Sequence, residues 1–570
     1  MKRHMFMRVV VLLVLASLAL TACGTPTTVV PPVATDAPVV TEAPVVEPAA
    51  FEPLVVSAAD CNYGTADNPA KLLKIEAVDE FTVKFTLCAP DPAFPSKVAF
   101  SVFSIADQAS LEAQGGDSIK MSDNSNGTGP YVLKEWVRGD HITFEANPNY
   151  WGEKAKVQTL IFRWSEQSAQ RLLELQSGTV DGIDNPAPED FDTITGDANL
   201  GLYPRAAGNI FYVGFNNAMA PFDKVEVRKA FAMAIDRQRI VEQYYPAGSA
   251  VAINFVPDFF NPGFSPSIPW YDYDPVAAKA LLDSVGFDYT QEITLSIRNV
   301  VRSYLPTPDK VAQEIQAQLA EIGLNVKIEV MESAAFIDAT SAGQRAFYLL
   351  GWGMDYPDST NFFDYHFANA SNLQFGALFQ DMVDEINAAA KLSDVAARQS
   401  HYDTVNQMLK DYVPMIPVAH GGSATAFKAN VTGAHASPLG NEIFAVMDNG
   451  ADTLVWMQNG EPAALWCTDE TDGETLRACE QVYEPLLAFE VGGAAVVPGL
   501  AEKFESNADL TEWTFTLRPG VAFHNGATLD ANDVVATYAS IWDAKNPAHK
   551  GRTTTFEYFT TFFGAFLNAE

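Results

Sequence analysis

The sequence predicts an α/β protein with more than one domain, and three observations carry the prediction. Helical and strand patterns alternate: an amphipathic helical pattern at 308–322 stops at Gly323, and residues 324–330 then alternate apolar and polar side chains. Hydrophobic residues make up 48% of the chain, which favours a large core over disorder. The chain has 570 residues, more than one hydrophobic core usually holds.

The first fifty residues predict targeting and tethering rather than fold. In residues 1–22 a basic start precedes an apolar run at 9–20, and small residues then precede Cys23, which is typical of a bacterial lipoprotein signal peptide with lipidation at that cysteine. A plain signal peptide or a membrane anchor are the alternatives, although a span needs about 20 apolar residues. Residues 23–50 are rich in Pro and Thr and are expected to form an extended tether. The protein is therefore expected outside the cytoplasm, lipid-anchored to the membrane.

The charge balance excludes one class of partner. The chain has 36 Lys and Arg against 71 Asp and Glu, a formal net charge of −35. Such a surface repels phosphate backbones, so no nucleic-acid partner is expected. The acidic residues are spread along the chain, so they are also explained by solubility alone.

The cysteines indicate disulfides rather than a metal or redox site. Four cysteines remain after lipidation of Cys23, and in an oxidising compartment they can form two bonds. The pairs close in sequence are Cys61 with Cys88 and Cys467 with Cys479. Neither has C-x-x-C spacing, and the eight histidines show no ligand spacing, so we expect no metal and no cofactor.

Local patterns then predict the remaining elements. The predicted elements are, in order, hairpins at 75–87 and 129–151, helices at 227–241, 274–286 and 308–322, strands at 324–330, 453–459 and 513–518, and a helix at 530–542. Residues 553–566 are unusually aromatic, so we expect them to be buried.

Nine motifs together resemble one family. They are YEPLL at 483, LRPGVAFHNG at 517, VDEFTVKF at 78, GTGPY at 127, NPNYW at 147, FNN at 215, PFDKVEVRKAFAMAID at 221, YDPVAAKALL at 273 and GWGMDYPDSTNFF at 351. The chain thereby resembles the dipeptide- and oligopeptide-binding proteins of ABC importers. The resemblance covers nearly all of the chain after the tether, but the motifs that open the family's sequences stand here at the end.

The resemblance implies a two-lobed periplasmic-binding-protein-like fold of the large peptide-binding type, with a ligand cleft between the lobes. Lobe I is expected to combine 51–209 with 453–570, lobe II to comprise 210–429, and 430–452 to return to lobe I and act as a linker. A circular permutation explains the rotated order, since cuts in surface loops are tolerated; a fused or misassembled reading frame is the alternative. Permutation requires 453–570 to complete a sheet with the earliest strands.

The resemblance also implies a function. It implies a substrate-binding lipoprotein, usually monomeric, that captures peptides and delivers them to ABC permease subunits. The alternatives are another solute, such as an oligosaccharide or a metal chelate, and a surface sensory or chaperone-like receptor without transport. Catalysis is not expected, because H-E-x-x-H, G-x-S-x-G and P-loop motifs are absent from the sequence.

Five residues are candidates for ligand binding. Asp355 follows an apolar run, and the resemblance implies that it pairs with the α-ammonium group of a peptide. Arg302 is implied as the partner of the carboxylate, which a planar guanidinium fits well. Trp352 and Tyr356 are expected to wall the ligand, with Tyr483 as a weaker candidate. The alternatives are a turn-forming Asp355, a surface ion pair for Arg302 and core packing for Tyr483.

Overall fold

The computed structural model describes residues 51–65, 68–300, 302–369 and 372–569, so the predicted signal peptide, the lipidated Cys23 and the tether lie outside the described residues. The strands within these ranges are β1 (Val55–Ser57), β2 (Leu72–Asp79), β3 (Thr82–Leu87), β4 (Tyr131–Val137), β5 (His141–Ala146), β6 (Thr159–Trp164), β7 (Gly182–Asp184), β8 (Leu200–Arg205), β9 (Asn209–Phe215), β10 (Ala250–Val251), β11 (Glu292–Arg298), β12 (Asn325–Met331), β13 (Phe347–Gly353), β14 (Met415–His420), β15 (Ser423–Lys428), β16 (Thr453–Gln458), β17 (Leu487–Phe489), β18 (Val496–Pro498), β19 (Ala501–Ser506) and β20 (Glu512–Leu517).

The helices pack on both sides of the sheets. They are α1 (Phe94–Val98), α2 (Gln108–Gln114), α3 (Ser118–Asp123), α4 (Ser168–Ser177), α5 (Phe191–Gly196), α6 (Val225–Ala234), α7 (Arg237–Tyr244), α8 (Pro275–Ser284), α9 (Pro308–Glu321), α10 (Ser333–Ser341), α11 (Thr360–Phe363), α12 (Gln380–Ala389), α13 (Val395–Tyr412), α14 (Gly473–Cys479), α15 (Ala531–Trp542) and α16 (Glu557–Phe563). A π-helical segment at Asp364–Ala368 continues α11.

The C-terminal strands complete a sheet with the first strands. The five-stranded sheet has the order β1-β2-β3-β20-β19, and β20 pairs antiparallel with β3, placing Trp513 opposite Phe85. The rings of Phe85 and Phe515 meet at 5.6 Å, and both side chains are fully buried. Such aromatic pairs contribute about 0.5–1.5 kcal/mol beyond their buried area. The expected docking of the last segment beside the earliest strands is confirmed.

A second sheet repeats this joining of distant segments. The seven-stranded sheet has the order β4-β5-β6-β16-β7-β15-β8, with β16 parallel to both β6 and β7. Trp456 on β16 is fully buried, and its ring lies 5.3 Å from Phe427 and 5.1 Å from Phe444. We refer to the body formed by these two sheets as lobe I.

Lobe II is built on a six-stranded sheet of order β10-β14-β9-β13-β11-β12. Strand β9 is buried along its whole length, and β13 and β14 pair with its two edges. Phe215 stacks on Phe347 at 5.6 Å, which joins β9 to β13 through side chains as well as backbone. The two-lobed α/β architecture matches the predicted fold class.

One predicted lobe boundary is wrong. Strand β15 pairs with β7 and β8, so it belongs to lobe I, although the sequence analysis assigned residues up to 429 to lobe II. The chain crosses back at Gly421 and Gly422, between β14 and β15. Close packing explains the glycine at 421, because a Cβ there would collide with the Ser303 carbonyl oxygen. The Gly421-Gly422 pair marks this crossing in the sequence.

The predicted helix at 227–241 is two helices. Helix α6 ends at Ala234, and the Asp236 carboxylate accepts a hydrogen bond from the Arg239 N–H at 3.0 Å, capping a new helix α7. An internal capping residue interrupted a continuous apolar periodicity. The predicted helices at 274–286 and 530–542 begin at capping residues: Asp274 accepts from the Ala277 N–H at 2.8 Å, and Asp530 forms a capping box on α15.

The aromatic C-terminal segment and the cysteines behave as the sequence indicates. Phe559, Phe562 and Phe563 of α16 are buried in the core of lobe I. Cys61 is bonded to Cys88 and Cys467 to Cys479, with Cα–Cα distances of 5.7 and 6.1 Å. Across the described ranges, none of the helices combines the length and apolarity that crossing a membrane would need.

Candidate functional site

Two cavities lie where lobe I faces lobe II. Cavity A has a volume of about 550 Å³, and cavity B of about 520 Å³. Cavity A is lined among others by Asp184, Asn185, Arg205, Gly440 and Arg477 from lobe I and by Pro246, Arg302, Ser303 and Pro306 from lobe II. Cavity B is lined among others by Lys71, Lys97, Thr560 and Thr561 from lobe I and by Trp352, Tyr356, Asn361, Asp364 and Tyr365 from lobe II. Both volumes fall in the range that suits small ligands.

Asp355 stands at the end of a buried strand, as the sequence predicts. It follows β13 by two residues and is half-buried. The Asn361 side-chain amide donates to Asp355 Oδ2 at 2.9 Å, and the Asp355 N–H donates to Asn361 Oδ1 at 3.0 Å. Burial raises the pKa of the Asp355 carboxyl to about 6, the Asn361 hydrogen bond opposes the rise, and Glu557 adds to it. A cation at this carboxylate would relieve the cost of its charge.

Trp352 forms an aromatic wall of cavity B. Its indole stacks on the Tyr365 ring at 4.5 Å, and its Nε1–H donates to Asn361 Oδ1 at 3.3 Å. Asn361 therefore orients both the tryptophan and the Asp355 carboxylate. The tryptophan lies where the sequence analysis expected a wall, on the strand that leads to Asp355.

Tyr356 joins the lobes as well as lining cavity B. It is carried by lobe II, yet it is buried against lobe I, where its ring meets Phe562 at 4.9 Å. The Lys97 ammonium lies 5.1 Å from the centre of the same ring. The contacts of Tyr356 with lobe I therefore depend on the distance between the lobes, and the same residue lines the cavity in which a ligand would lie.

Arg302 lines a different cavity from Trp352 and Tyr356. Its side chain is exposed at the lobe II side of cavity A. The end of β13 approaches cavity A through Gly208, since the Met354 N–H donates to the Gly208 carbonyl at 2.7 Å and a Cβ on Gly208 would lie 3.4 Å from the Pro438 carbonyl oxygen. Pro438 lines cavity A. Asp355 itself is not among the residues that line either cavity, but Trp352 and Tyr356, which stand on either side of it in the sequence, both line cavity B.

Tyr483 belongs to the core of lobe I. Its side chain is 1% exposed, its hydroxyl accepts from the Asn126 N–H and donates to the Met121 carbonyl, both at 3.1 Å, and its ring packs on Trp466. It lines neither cavity A nor cavity B. The expectation that Tyr483 walls the ligand is therefore wrong, and core packing explains the residue.

A buried charge cluster that no sequence pattern indicates lies beside cavity A and is formed by Asp184, Arg205, Glu442 and Arg477. Arg205 Nη2 lies 2.6 Å from Asp184 and 2.8 Å from Glu442, and Arg477 Nε lies 2.8 Å from Glu442. Burial alone would raise the pKa of both carboxyls, but the two guanidinium groups outweigh it and hold both below their usual range. The four residues come from four separate segments, so no spacing in the sequence pointed to them.

Cavity B contains charges that the sequence analysis also missed. Burial raises the pKa of Asp364 to about 7 against the opposing effect of Lys97, and Asp364 Oδ1 has no hydrogen-bond partner among the described residues. Burial and Lys97 lower the pKa of Lys71 to about 8. The Lys71 ammonium donates to the Thr561 carbonyl at 3.2 Å. The cavity thus carries charges of both signs, one set on each lobe.

In the described part of the chain, no group of three or more His, Cys, Asp or Glu side chains is placed so that it could hold a metal ion. The aromatic rings of Trp352, Tyr356 and Tyr365 line cavity B, and guanidinium groups from both lobes line cavity A.

Comparison with known proteins gives a consistent result. The model of the bacterial extracellular solute-binding proteins, family 5, matches residues 45–374 and 495–561. A curated relative, the dipeptide-binding protein of Pseudomonas aeruginosa, is 31% identical over 382 residues, which are 65% of this chain and 71% of that protein.

Solved structures resemble the fold as well as the sequence. HbpA2 from Haemophilus parasuis superposes with a TM-score of 0.63 at 29% identity, over 67% of this chain and 76% of that one. A dipeptide-binding protein from Pseudoalteromonas sp. SM9913, solved in complex with Met-Leu, gives a TM-score of 0.54 at 25% identity, over 66% of this chain and 76% of that one.

Proposed function

Because the chain belongs to family 5 of the bacterial extracellular solute-binding proteins, we propose that it captures di- or oligopeptides between its lobes for an ABC importer. The observation that carries the proposal is the Asp355 carboxylate, half-buried next to Tyr356 of the cavity B wall and held at a raised pKa. An α-ammonium group is a cation that such a carboxylate stabilises through charge-assisted hydrogen bonds. The similar dipeptide-binding proteins, one of them in complex with Met-Leu, support peptides as the solute.

A peptide is expected to be held from both lobes. Its α-ammonium group pairs with Asp355, its carboxylate pairs with Arg302 in cavity A, and Trp352 supplies a nonpolar wall that tolerates different side chains. Closure of the two lobes around the ligand then excludes water and strengthens both ion pairs. The protein performs no chemical step in this account.

Anchoring and delivery are part of the same proposal. A lipid on Cys23 and the tether at 23–50 would keep the protein at the outer face of the membrane, where the permease subunits accept the loaded form. We expect a monomer.

We also propose that the chain is a circular permutant of its family. The pairing of β3 with β20 and of β6 with β16 supports this, since one copy of the lobe is assembled from both parts of the chain. Tyr63 and Asn68 line a common pocket with residues 565–569, and Ala70 bridges Gly564. A variant in which Ala569 is joined to Phe51 and the chain is opened at Gly450 should fold and keep the same ligand affinity; loss of folding would favour the alternative of a misassembled reading frame.

Another solute remains the second candidate. The stacked Trp352–Tyr365 pair beside the amides of Asn361 and Asn387 in cavity B is a surface on which an oligosaccharide would also pack. A metal chelate or a receptor role without transport are further alternatives.

Native mass spectrometry of the protein purified without added ligand separates these candidates. A co-purified mass that fragments as a peptide supports the proposal, and a hexose series or a metal chelate would replace peptides as the solute.

A further inference from the structure

Within the buried charge cluster beside cavity A, one nitrogen atom of the Arg477 guanidinium has no acceptor among the described residues. Arg477 Nε donates to Glu442 Oε2 at 2.8 Å, and Nη1 lies 3.2 Å from Gln458 Oε1 and 3.1 Å from Asp184 Oδ2. Nη2 makes no hydrogen bond within the described residues and lies 3.7 Å from the position that a Cβ on Gly440 would occupy. Gly440 lines cavity A, so this nitrogen is at the cavity wall.

The other guanidinium of the cluster has no such spare donor. Arg205 Nε donates to Glu442 at 3.2 Å, Nη2 donates to Asp184 at 2.6 Å and to Glu442 at 2.8 Å, and Nη1 donates to Asn185 at 2.9 Å. All its nitrogen atoms are engaged by the protein. The two arginines therefore share a network and a cavity but differ in whether they can donate to a ligand.

The network holds Arg477 rigidly in one orientation. Its side chain is only 4% exposed, and its guanidinium lies 5.6 Å from the Trp456 ring. Two carboxylates fix the guanidinium plane, so little conformational entropy is lost when Nη2 binds an acceptor. Arg302 lines the same cavity from lobe II, on the opposite side.

We propose that Arg477 is a second carboxylate-binding residue, whose Nη2 donates to the C-terminal carboxylate of a peptide in cavity A. The inference rests on the proposed function and adds a specificity-determining residue on lobe I. With Arg302 on lobe II, the carboxylate is bound by one guanidinium from each lobe, so a free C-terminus favours closure. Peptides whose C-terminus is an amide lose the negative charge and should bind more weakly.

The test compares the dipeptide Leu-Leu with its C-terminal amide by titration calorimetry. In Arg477→Lys a positive charge still faces Glu442 and Asp184, so neither carboxylate is left unpaired, but the outer nitrogen is lost. We expect Leu-Leu to bind this variant about tenfold to hundredfold more weakly, the size of a hydrogen bond to a charged group, and the amide to bind as it binds the wild type. Arg228→Lys is the matched control, because Arg228 is a buried arginine of lobe II that lines neither cavity, and it should leave the ratio of the two affinities unchanged.

The possible results distinguish a failure of the proposed function from a failure of the proposed role of Arg477. If the wild type binds neither peptide, the peptide proposal fails and this inference falls with it. If the wild type binds Leu-Leu but Arg477→Lys leaves the ratio unchanged, or Arg228→Lys changes it as much, the role of Arg477 is refuted alone. Should Arg477→Lys fail to fold in a thermal melt, the charge-balanced pair Arg477→Gln with Glu442→Gln is titrated instead, and the same loss of preference for the free carboxylate is required.

Discussion

Replacing Asp355 by Asn tests the ammonium-binding role of its carboxylate. The substitution keeps the shape of the side chain and removes its charge, so a bound α-ammonium group loses its ionic partner. Hydrogen bonds to charged groups contribute about 1.5–3 kcal/mol, which corresponds to an affinity loss of roughly tenfold to hundredfold. We therefore expect Asp355→Asn to weaken the binding of Leu-Leu by that factor.

The raised pKa of Asp355 adds a pH dependence with a defined sign. The ligand-free carboxyl has a pKa of about 6, and a bound ammonium group lowers that pKa. Peptide binding therefore favours the deprotonated form, so affinity should rise as pH increases through about 6 and level off above it. Calorimetry near pH 6 in buffers of different ionisation enthalpy should detect a released proton, and Asp355→Asn should abolish it.

The same pKa predicts the effect on stability. The folded-state pKa of the Asp355 carboxyl lies above the ordinary value of 3.8. Its contribution to the free energy of unfolding is therefore fully present below pH 3.8 and is lost as pH rises through about 6. At pH 7 the ligand-free wild type carries the cost of the charge, about 1–2 kcal/mol after allowance for solvent screening of a half-buried group. Asp355→Asn should therefore be at least as stable as the wild type at pH 7.

Glu480→Gln is the control for these measurements. Burial raises the pKa of Glu480 to about 8, but the residue lines neither cavity. It should leave the affinity and its dependence near pH 6 unchanged. An Asp355→Asn variant that binds Leu-Leu as tightly as the wild type, with the same proton release, would refute the role of Asp355.

Three further predictions concern stability and are measured by urea unfolding. Asp358→Asn leaves the buried Arg398 guanidinium, now held at 2.9 and 2.7 Å, without its counter-charge and should cost about 3–5 kcal/mol; a loss below 1 kcal/mol would contradict a structural role for the pair. Replacing Cys61 and Cys88 by Ser opens a sequence separation of 27 residues and should cost about 3 kcal/mol, which an unchanged unfolding midpoint would disprove. Tyr483→Phe should cost about 1–3 kcal/mol because two backbone groups lose their partner, with peptide affinity unaltered; weakened binding in a stable variant would return Tyr483 to the site.

Helices were predicted correctly where residues that begin or end a helix stand at their termini. Asp274 before a proline and Gly323 after an apolar helical face mark α8 and α9, and both helices are present. A single helix was predicted across α6 and α7, because the apolar periodicity continues past Asp236 and does not show that this residue caps a new helix. The apolar run at 347–350 predicts that Asp355 lies at the end of a strand, where the structure has it.

The sequence does not predict which charged residues become neighbours in the fold. Asp184, Arg205, Glu442 and Arg477 lie far apart along the chain and meet only because β16 inserts between β6 and β7 and brings the segment that follows it to the same edge. The order of the strands in the sheet therefore decides which charges are neighbours. The prediction that Tyr483 contacts the ligand is wrong for a different reason. The motif that contains it matches the family, but its ring is buried in the core of lobe I.

A crystal structure of the protein with bound Leu-Leu tests the central claim most directly. The account predicts the peptide between the lobes, with its ammonium nitrogen about 2.7–2.9 Å from an Asp355 oxygen and its carboxylate in cavity A. A peptide bound elsewhere on the protein, or one between the lobes whose ammonium group is beyond reach of Asp355, would contradict it.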